Sequence, residues 1–475
     1  MLFTSLEFLL LFLPLVLAGY YVLRRELRNA WLLAASLVFY AYGEPKFVLA
    51  MVASIALNYL FALGISAVGP GRRASRWMLL AAILANLSLI FVYKYANFAT
   101  SVARELFPSW RGAIPQTSFI LPIGISFFTF QAISYVVDVY RGVPAQKNPV
   151  NIALYIAMFP QLIAGPIVRY DTVARQLVSR RETLPLFTSG VGRFLVGFAK
   201  KMLLANLFAV AADKYFADGA ELDCCGAWLG AVCYTFQIFF DFSGYSDMAI
   251  GLGRMFGFEF LENFNYPYVS RSITEFWRRW HMSLGSWFRD YLYFPMGGSR
   301  VGSRARLVFN LAVVWFATGV WHGANWTFIL WGSLYGVLII VEKLADWPKR
   351  LMASRRLQAL GWFATMFFVV LGWVLFRAPD LTSAGRYLAA MFGFGATEFV
   401  GGETVFEFGE MAVLLAVGAA ASVPWIPWLR ARLAAMPRAL GLLEIAGRIA
   451  LVALFFVGIS YLAMNSHNPF IYFNF

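Results

Sequence analysis

Residues 307–341 read LVFNLAVVWFATGVWHGANWTFILWGSLYGVLIIV, with no Asp, Glu, Lys or Arg between Arg306 and Glu342. A membrane-crossing helix needs about 20 apolar residues, so this stretch forms two helices or one broken helix around Trp321-His322-Gly323-Ala324-Asn325-Trp326. The rest of the chain has the same character. Over 475 residues it is 60% hydrophobic, 18% aromatic and 13% charged, with a mean hydropathy of +0.67. Soluble domains carry roughly 25% charged residues, so this chain lacks the charge to cover a water-exposed surface. The composition excludes a soluble enzyme, a disordered chain, a collagen and a disulfide scaffold, and it predicts an all-α polytopic membrane protein.

Apolar runs near 5–23, 30–42, 46–68, 76–98, 117–140, 190–212, 226–252, 307–322, 325–341, 359–376, 411–428 and 447–464 predict ten to twelve spans. Run 30–42 is short, and run 190–212 carries Lys200 and Lys201 near its middle. Val16-Leu17-Ala18 faintly resembles a signal-peptidase site. No Lys or Arg precedes the run and Glu7 opens it, so an uncleaved first span is expected. The net charge of +14 falls in short clusters between runs, as the positive-inside rule requires, so it does not imply nucleic acid. Arg24, Arg25 and Arg28, then Arg72, Arg73 and Arg76, then the 253–306 region fall on one side; acidic loops 213–225 and 377–410 fall on the other. The pattern predicts both termini on the extracytoplasmic side. No repeat or low-complexity tract interrupts the chain, and one membrane domain is expected over 1–475. Within it, N-terminal spans occupy 1–142, a core 150–341, and C-terminal spans and tail 359–475.

Two regions are neither ordinary spans nor loops. Residues 150–170 are apolar but contain Phe159-Pro160 and Gly165-Pro166, which break a helix. Irregular backbone at membrane depth is tolerated only inside protein or beside a water-filled cavity, so a re-entrant segment is expected. Residues 268–294 (YVSRSITEFWRRWHMSLGSWFRDYLYF) mix tryptophans with arginines. They suit an amphipathic helix at the interface or folded back into the core.

The histidines are His281, His322 and His467. His322, deep in an apolar run beside Gly323 and Asn325, is a functional candidate because ionisable groups at that depth are costly; the competing reading is a neutral interhelical hydrogen bond. His281 lies in the amphipathic stretch, and two imidazoles from different elements would suit proton abstraction from a hydroxyl. His467, beyond the last span, is expected to contact the interface or a partner. Asp241, Ser243, Tyr245, Ser246 and Asp247 stand in an otherwise apolar segment. They either pair with Arg254 or another arginine, or line a substrate passage. No nucleophile elbow, phosphate loop or zinc-protease helix occurs, and three scattered histidines predict no metal site.

The stretches Leu121–Phe127, Phe159–Pro166, Asp241–Asp247, Asn263–Tyr268, Ser272–His281 leading into Arg289–Tyr293, Trp321-His322-Gly323 and Asn468-Pro469-Phe470 occur in order along nearly the whole chain. In these the chain resembles the membrane-bound O-acyltransferase family, and more narrowly the bacterial branch that acts in alginate O-acetylation and teichoic acid D-alanylation. The resemblance implies a ring of spans around a thinned core with a tunnel, the family's intramembrane histidine at His322 and its second catalytic polar residue at His281. It further implies acetyl-CoA as a cytosolic donor substrate with no bound cofactor, and a multi-pass protein of the bacterial inner membrane. The acetyl group would pass to an extracytoplasmic acetyltransferase partner or to an exopolysaccharide. On that reading Lys200, Lys201, Arg278 and Arg279 would meet donor phosphates, and Asp241, Ser243, Tyr245, Asp247 and Asn325 would line the tunnel. A transporter or flippase for an acylated lipid or glycan is the alternative, and a non-catalytic scaffold a third reading.

Overall fold

The computed structural model describes residues 1–351, 354–464 and 468–469. Every regular element among them is helical, because a helix satisfies its own backbone hydrogen bonds where lipid offers none. Eight helices are long and apolar enough to cross a membrane: Val48–Val68, Arg73–Leu106, Leu184–Tyr215, Cys224–Met255, Trp326–Leu344, Arg355–Arg377, Gly402–Ala421 and Pro437–Ala463. Phe8–Val22 and Ile125–Tyr140 are shorter apolar helices. The expected ten to twelve spans therefore reduce to eight by this measure. Runs 30–42 and 307–322 lie in helices Arg25–Gly43 and Arg304–His322. Both open on charged residues, which leaves each apolar run short of about 20 residues. Run 117–140 shortens because Pro122 and a left-handed Gly124 (φ 78°) hold the chain out of helix until Ile125. A side chain at Gly124 would also meet the Leu162 carbonyl at 2.6 Å.

The chain packs as two compact units, Met1–Phe194 with Met248–Leu261, and Leu195–Asp247 with Glu262–Phe475. In the first, Asn58 and Asn86 exchange two buried amide hydrogen bonds (3.1 and 2.7 Å) between neighbouring spans. The segment expected to be re-entrant is a helix Pro149–Ala157, a break at Met158 and a single turn Phe159–Leu162. It is buried almost throughout. Its freed backbone groups find partners inside the protein: Phe159 N–H donates to Ser36 Oγ (3.1 Å) and Gln161 Nε2 to the Tyr155 carbonyl (2.5 Å). That is the condition under which a broken helix survives at membrane depth.

In the second unit the arginine- and tryptophan-rich stretch is two short helices, Ile273–Arg279 and Met282–Phe288, hinged at His281. Ser272 Oγ caps the first by accepting from Glu275 N–H (3.0 Å). The carboxylate of Glu342 accepts from Ile273 and Thr274 N–H (2.7 and 2.8 Å). A negative charge on the first-turn amides stabilises a helix N-terminus. Phe276 and Trp280 turn inward while Arg278 stays exposed. The stretch is thus folded into the protein on its aromatic face.

Candidate active site

His322 is the last residue of helix Arg304–His322, which Gly323 ends by turning to extended backbone. A side chain at 323 would strike the Phe328 ring, which would have to shift to admit it. Asn325 then starts helix Trp326–Leu344: its Oδ1 accepts from Thr327 N–H (3.1 Å) and its Nδ2 donates to the Pro379 carbonyl (2.7 Å). Both ends of the Asn325 amide hold the turn that carries His322. The imidazole stands edge-to-face against Trp321 (4.9 Å between centroids), Trp331 (4.9 Å) and Phe376 (5.1 Å) and is 7% exposed.

His281 reaches the same place from another element. It is 2% exposed, sits edge-to-face on Phe242 (4.6 Å), and lies 6.1 Å from the ring of Trp321. Both histidine rings thus have Trp321 as a neighbour. The backbone of His281 is left-handed (φ 45°, ψ 52°), uncommon for a residue with a side chain and frequent at functional sites. It lies outside the spanning helices, and burial pushes its pKa below the ordinary histidine value, since a cation there would lose its water. Its Nδ1 is 3.0 Å from Asn263 Oδ1, and Nε2 is buried without a hydrogen-bond partner among the described residues.

The polar segment of helix Cys224–Met255 is wholly buried: Asp241, Ser243, Tyr245 and Asp247 are each 5% exposed or less. The two carboxylates meet lysines. Lys201 Nζ lies 2.8 Å from Asp241 Oδ1 and Lys200 Nζ 2.8 Å from Asp247 Oδ2. Gly244 makes this approach possible, because a side chain there would lie 2.8 Å from the Gly197 carbonyl. A π-helical turn over Lys201–Ala205 carries Lys201. Lys201 also donates to the Pro469 carbonyl, and Asn206 Nδ2 to Asn468 Oδ1 (3.1 Å), so part of the Asn-Pro-Phe tail docks beside the ion pair. Arg279 pairs with Glu275 one turn away (2.9 Å). His467 lies outside the described residues.

Residues that sequence reasoning left without a role complete the site. Asn263 and Ser283 form, with the Ser246 already singled out, the hydrogen-bonded surround of His281, and Phe376 closes the aromatic wall around His322. Asn263 stands in the Asn-Phe-Asn-Tyr-Pro-Tyr motif, the one available pointer to it.

Residues 146–384 match the membrane-bound O-acyltransferase family. The chain is 46% identical over 400 residues to the probable alginate O-acetylase of Pseudomonas aeruginosa, covering 83% of this chain and 75% of that one. It is 36% identical over 427 residues to the peptidoglycan O-acetyltransferase of Helicobacter pylori (83% and 80% covered). Against the teichoic acid D-alanyltransferase of Bacillus subtilis it is 30% identical over 280 residues (55% and 70% covered). The matched region contains both histidines and the rings that surround them, and the chain belongs to the membrane-bound O-acyltransferase family, as a multi-pass membrane O-acyltransferase.

Proposed function

We propose that this enzyme moves an acetyl group from acetyl-CoA on the cytosolic side of a bacterial inner membrane to an exported polysaccharide, directly or through an extracytoplasmic acetyltransferase. Alginate is the polymer named for its relatives and the first to test. The observation that carries the reading is the pair of buried imidazoles that neighbour Trp321, a place where base chemistry proceeds without water to hydrolyse a thioester.

In the proposed reaction His322 accepts the proton of an acceptor hydroxyl as its oxygen attacks the thioester carbonyl. The new C–O bond forms and the C–S bond breaks. The proton taken from the hydroxyl ends on the departing thiolate, giving the ester and free CoA. General base assistance of this kind contributes roughly 10²–10⁴-fold. His281 takes the second role, either orienting the acyl donor or handing the proton to the thiolate. Of the four cations expected at the donor phosphates, Arg278 fits best. It is exposed, whereas Arg279, Lys200 and Lys201 already face Glu275, Asp247 and Asp241. Asp241, Ser243, Tyr245 and Asp247 belong, on this proposal, to the lining of the donor passage.

The test is transfer from radiolabelled acetyl-CoA to alginate in membrane vesicles of the expressing strain. His322→Ala should insert normally and lose transfer by about 10²-fold or more. A normally inserted variant with full transfer overturns the proposal.

A further inference from the structure

Asn263 is fully buried in the irregular segment that precedes the two short helices. Its Oδ1 faces three groups: Ser283 N–H (3.2 Å), Ser283 Oγ (2.8 Å) and His281 Nδ1 (3.0 Å). Its Nδ2 donates to Ser246 Oγ (3.0 Å). Two main-chain bonds clamp the same strap to the His281 turn, Met282 N–H to the Asn263 carbonyl (2.9 Å) and Asn265 N–H to the Arg279 carbonyl (2.9 Å). The direction of each bond follows from chemistry. A peptide N–H only donates, so the amide atom facing Ser283 N–H is the acceptor oxygen. That oxygen cannot donate to His281, so the hydrogen between them resides on His281 Nδ1. A neutral imidazole carries one hydrogen, which leaves the lone pair on Nε2, the buried atom that no group among the described residues satisfies. Buried acceptors are rarely left in that state unless something absent from the structure fills them.

We infer that Asn263 is a positioning residue that fixes His281 as its Nδ1–H tautomer, so that Nε2 accepts a hydrogen bond from an O–H or N–H of the bound substrate. The inference rests on the acyl-transfer reading and narrows it. A ring held this way has no hydrogen on Nε2 to hand to a departing thiolate, so His281 orients substrate and does not act as the leaving-group acid. The strap also brackets the left-handed backbone at His281 (φ 45°), through the bonds at Asn263 and Asn265.

The experiment compares Asn263→Ala with Asn263→Asp in the vesicle assay, using radiolabelled acetyl-CoA and alginate. The aspartate keeps an acceptor oxygen facing the same three donors; the alanine removes it. Asn263→Ala should lower kcat by about 10²-fold, the scale on which misplacing a substrate-positioning group damages catalysis, and Asn263→Asp should stay within about tenfold of the parent. Should the alanine variant fail to insert, Asn263→Leu, which keeps the branch at Cγ without an acceptor oxygen, replaces it. An alanine or leucine variant with parental kcat overturns the inference, and so does an aspartate variant as impaired as the alanine. An inactive His322→Ala beside a fully active Asn263→Ala removes this inference alone, whereas a fully active His322→Ala removes the reading beneath it.

Discussion

Lys201 and Asp241 are 3% and 1% exposed, so each charge has exchanged water for the other at 2.8 Å. Removing one partner from such a pair strands the other charge, which costs about 3–5 kcal/mol, while replacing both with apolar residues of similar volume is often neutral. Lys201→Met or Asp241→Leu alone should therefore lower the Tm in detergent markedly, and the double variant should recover most of the loss. A double variant as unstable as the worse single one would show that the pair does not act as a unit. The same reasoning explains what was legible at this scale. His322, Asp241 and Asp247 announce themselves because ionisable groups in apolar runs are expensive, whereas His281 stands out only as a second histidine in the amphipathic stretch; both histidine rings neighbour Trp321. That the carboxylates meet Lys200 and Lys201 was not legible, because neither sequence spacing nor charge states which helix face meets which. Asn263 was quieter still: a neutral residue in an irregular segment has no periodicity to betray it.

Helices Arg304–His322 and Trp326–Leu344 form a hairpin whose two backbones touch. A side chain at Gly319 would lie 2.6 Å from the Phe328 carbonyl, and one at Gly332 2.6 Å from the Trp315 carbonyl. In lipid, helices associate by close packing of small residues and not by water exclusion, so these glycines set the spacing of the hairpin that presents His322. Gly319→Leu should force the helices apart, costing about 1–3 kcal/mol, and should lower the Tm and the acyl-transfer rate together. Gly385→Ala is the control: its added carbon meets nothing within 4 Å, so transfer should stay unchanged and the Tm should hold or rise slightly, since alanine favours a helix over glycine. Helix existence was easy to read because apolar runs near 20 residues have few alternatives. Helix limits were harder. The run at 411–428 belongs instead to helix Gly402–Ala421, which Ser422 ends before a separate helix Trp425–Leu433. The charged openings of Arg25–Gly43 and Arg304–His322 blur where apolar surface begins.

Orientation is a property of the whole chain, because the side of every loop depends on how many segments cross before it. The loop between Leu184–Tyr215 and Cys224–Met255 is acidic, with Asp218, Glu221 and Asp223. The segment after Met255 holds Arg271, Arg278, Arg279, Arg289 and Arg300. Basic loops stay cytoplasmic, so these two regions should lie outside and inside respectively. Helix Arg25–Gly43 is not among the eight long and apolar enough to cross, and if it lay along the interface, Arg24 and Lys46 would share a side. Single cysteines placed at the exposed positions Arg24, Lys46, Ala217 and Ser299, in a background without Cys224, Cys225 and Cys233, decide both questions with a membrane-impermeant maleimide. In the proposed inner-membrane location, Lys46→Cys and Ala217→Cys should label in cells with a permeabilised outer membrane, and Arg24→Cys and Ser299→Cys only after the inner membrane is opened. One long spanning helix separates Ala217 from Ser299, so their opposite behaviour calibrates the reagent. Labelling of Ser299→Cys but not Ala217→Cys would invert the molecule, and would put the arginine-rich turn that carries His281 on the side from which the acceptor polymer leaves the cell. Labelling of Arg24→Cys together with Lys46→Cys would show that the Arg25–Gly43 helix does not cross.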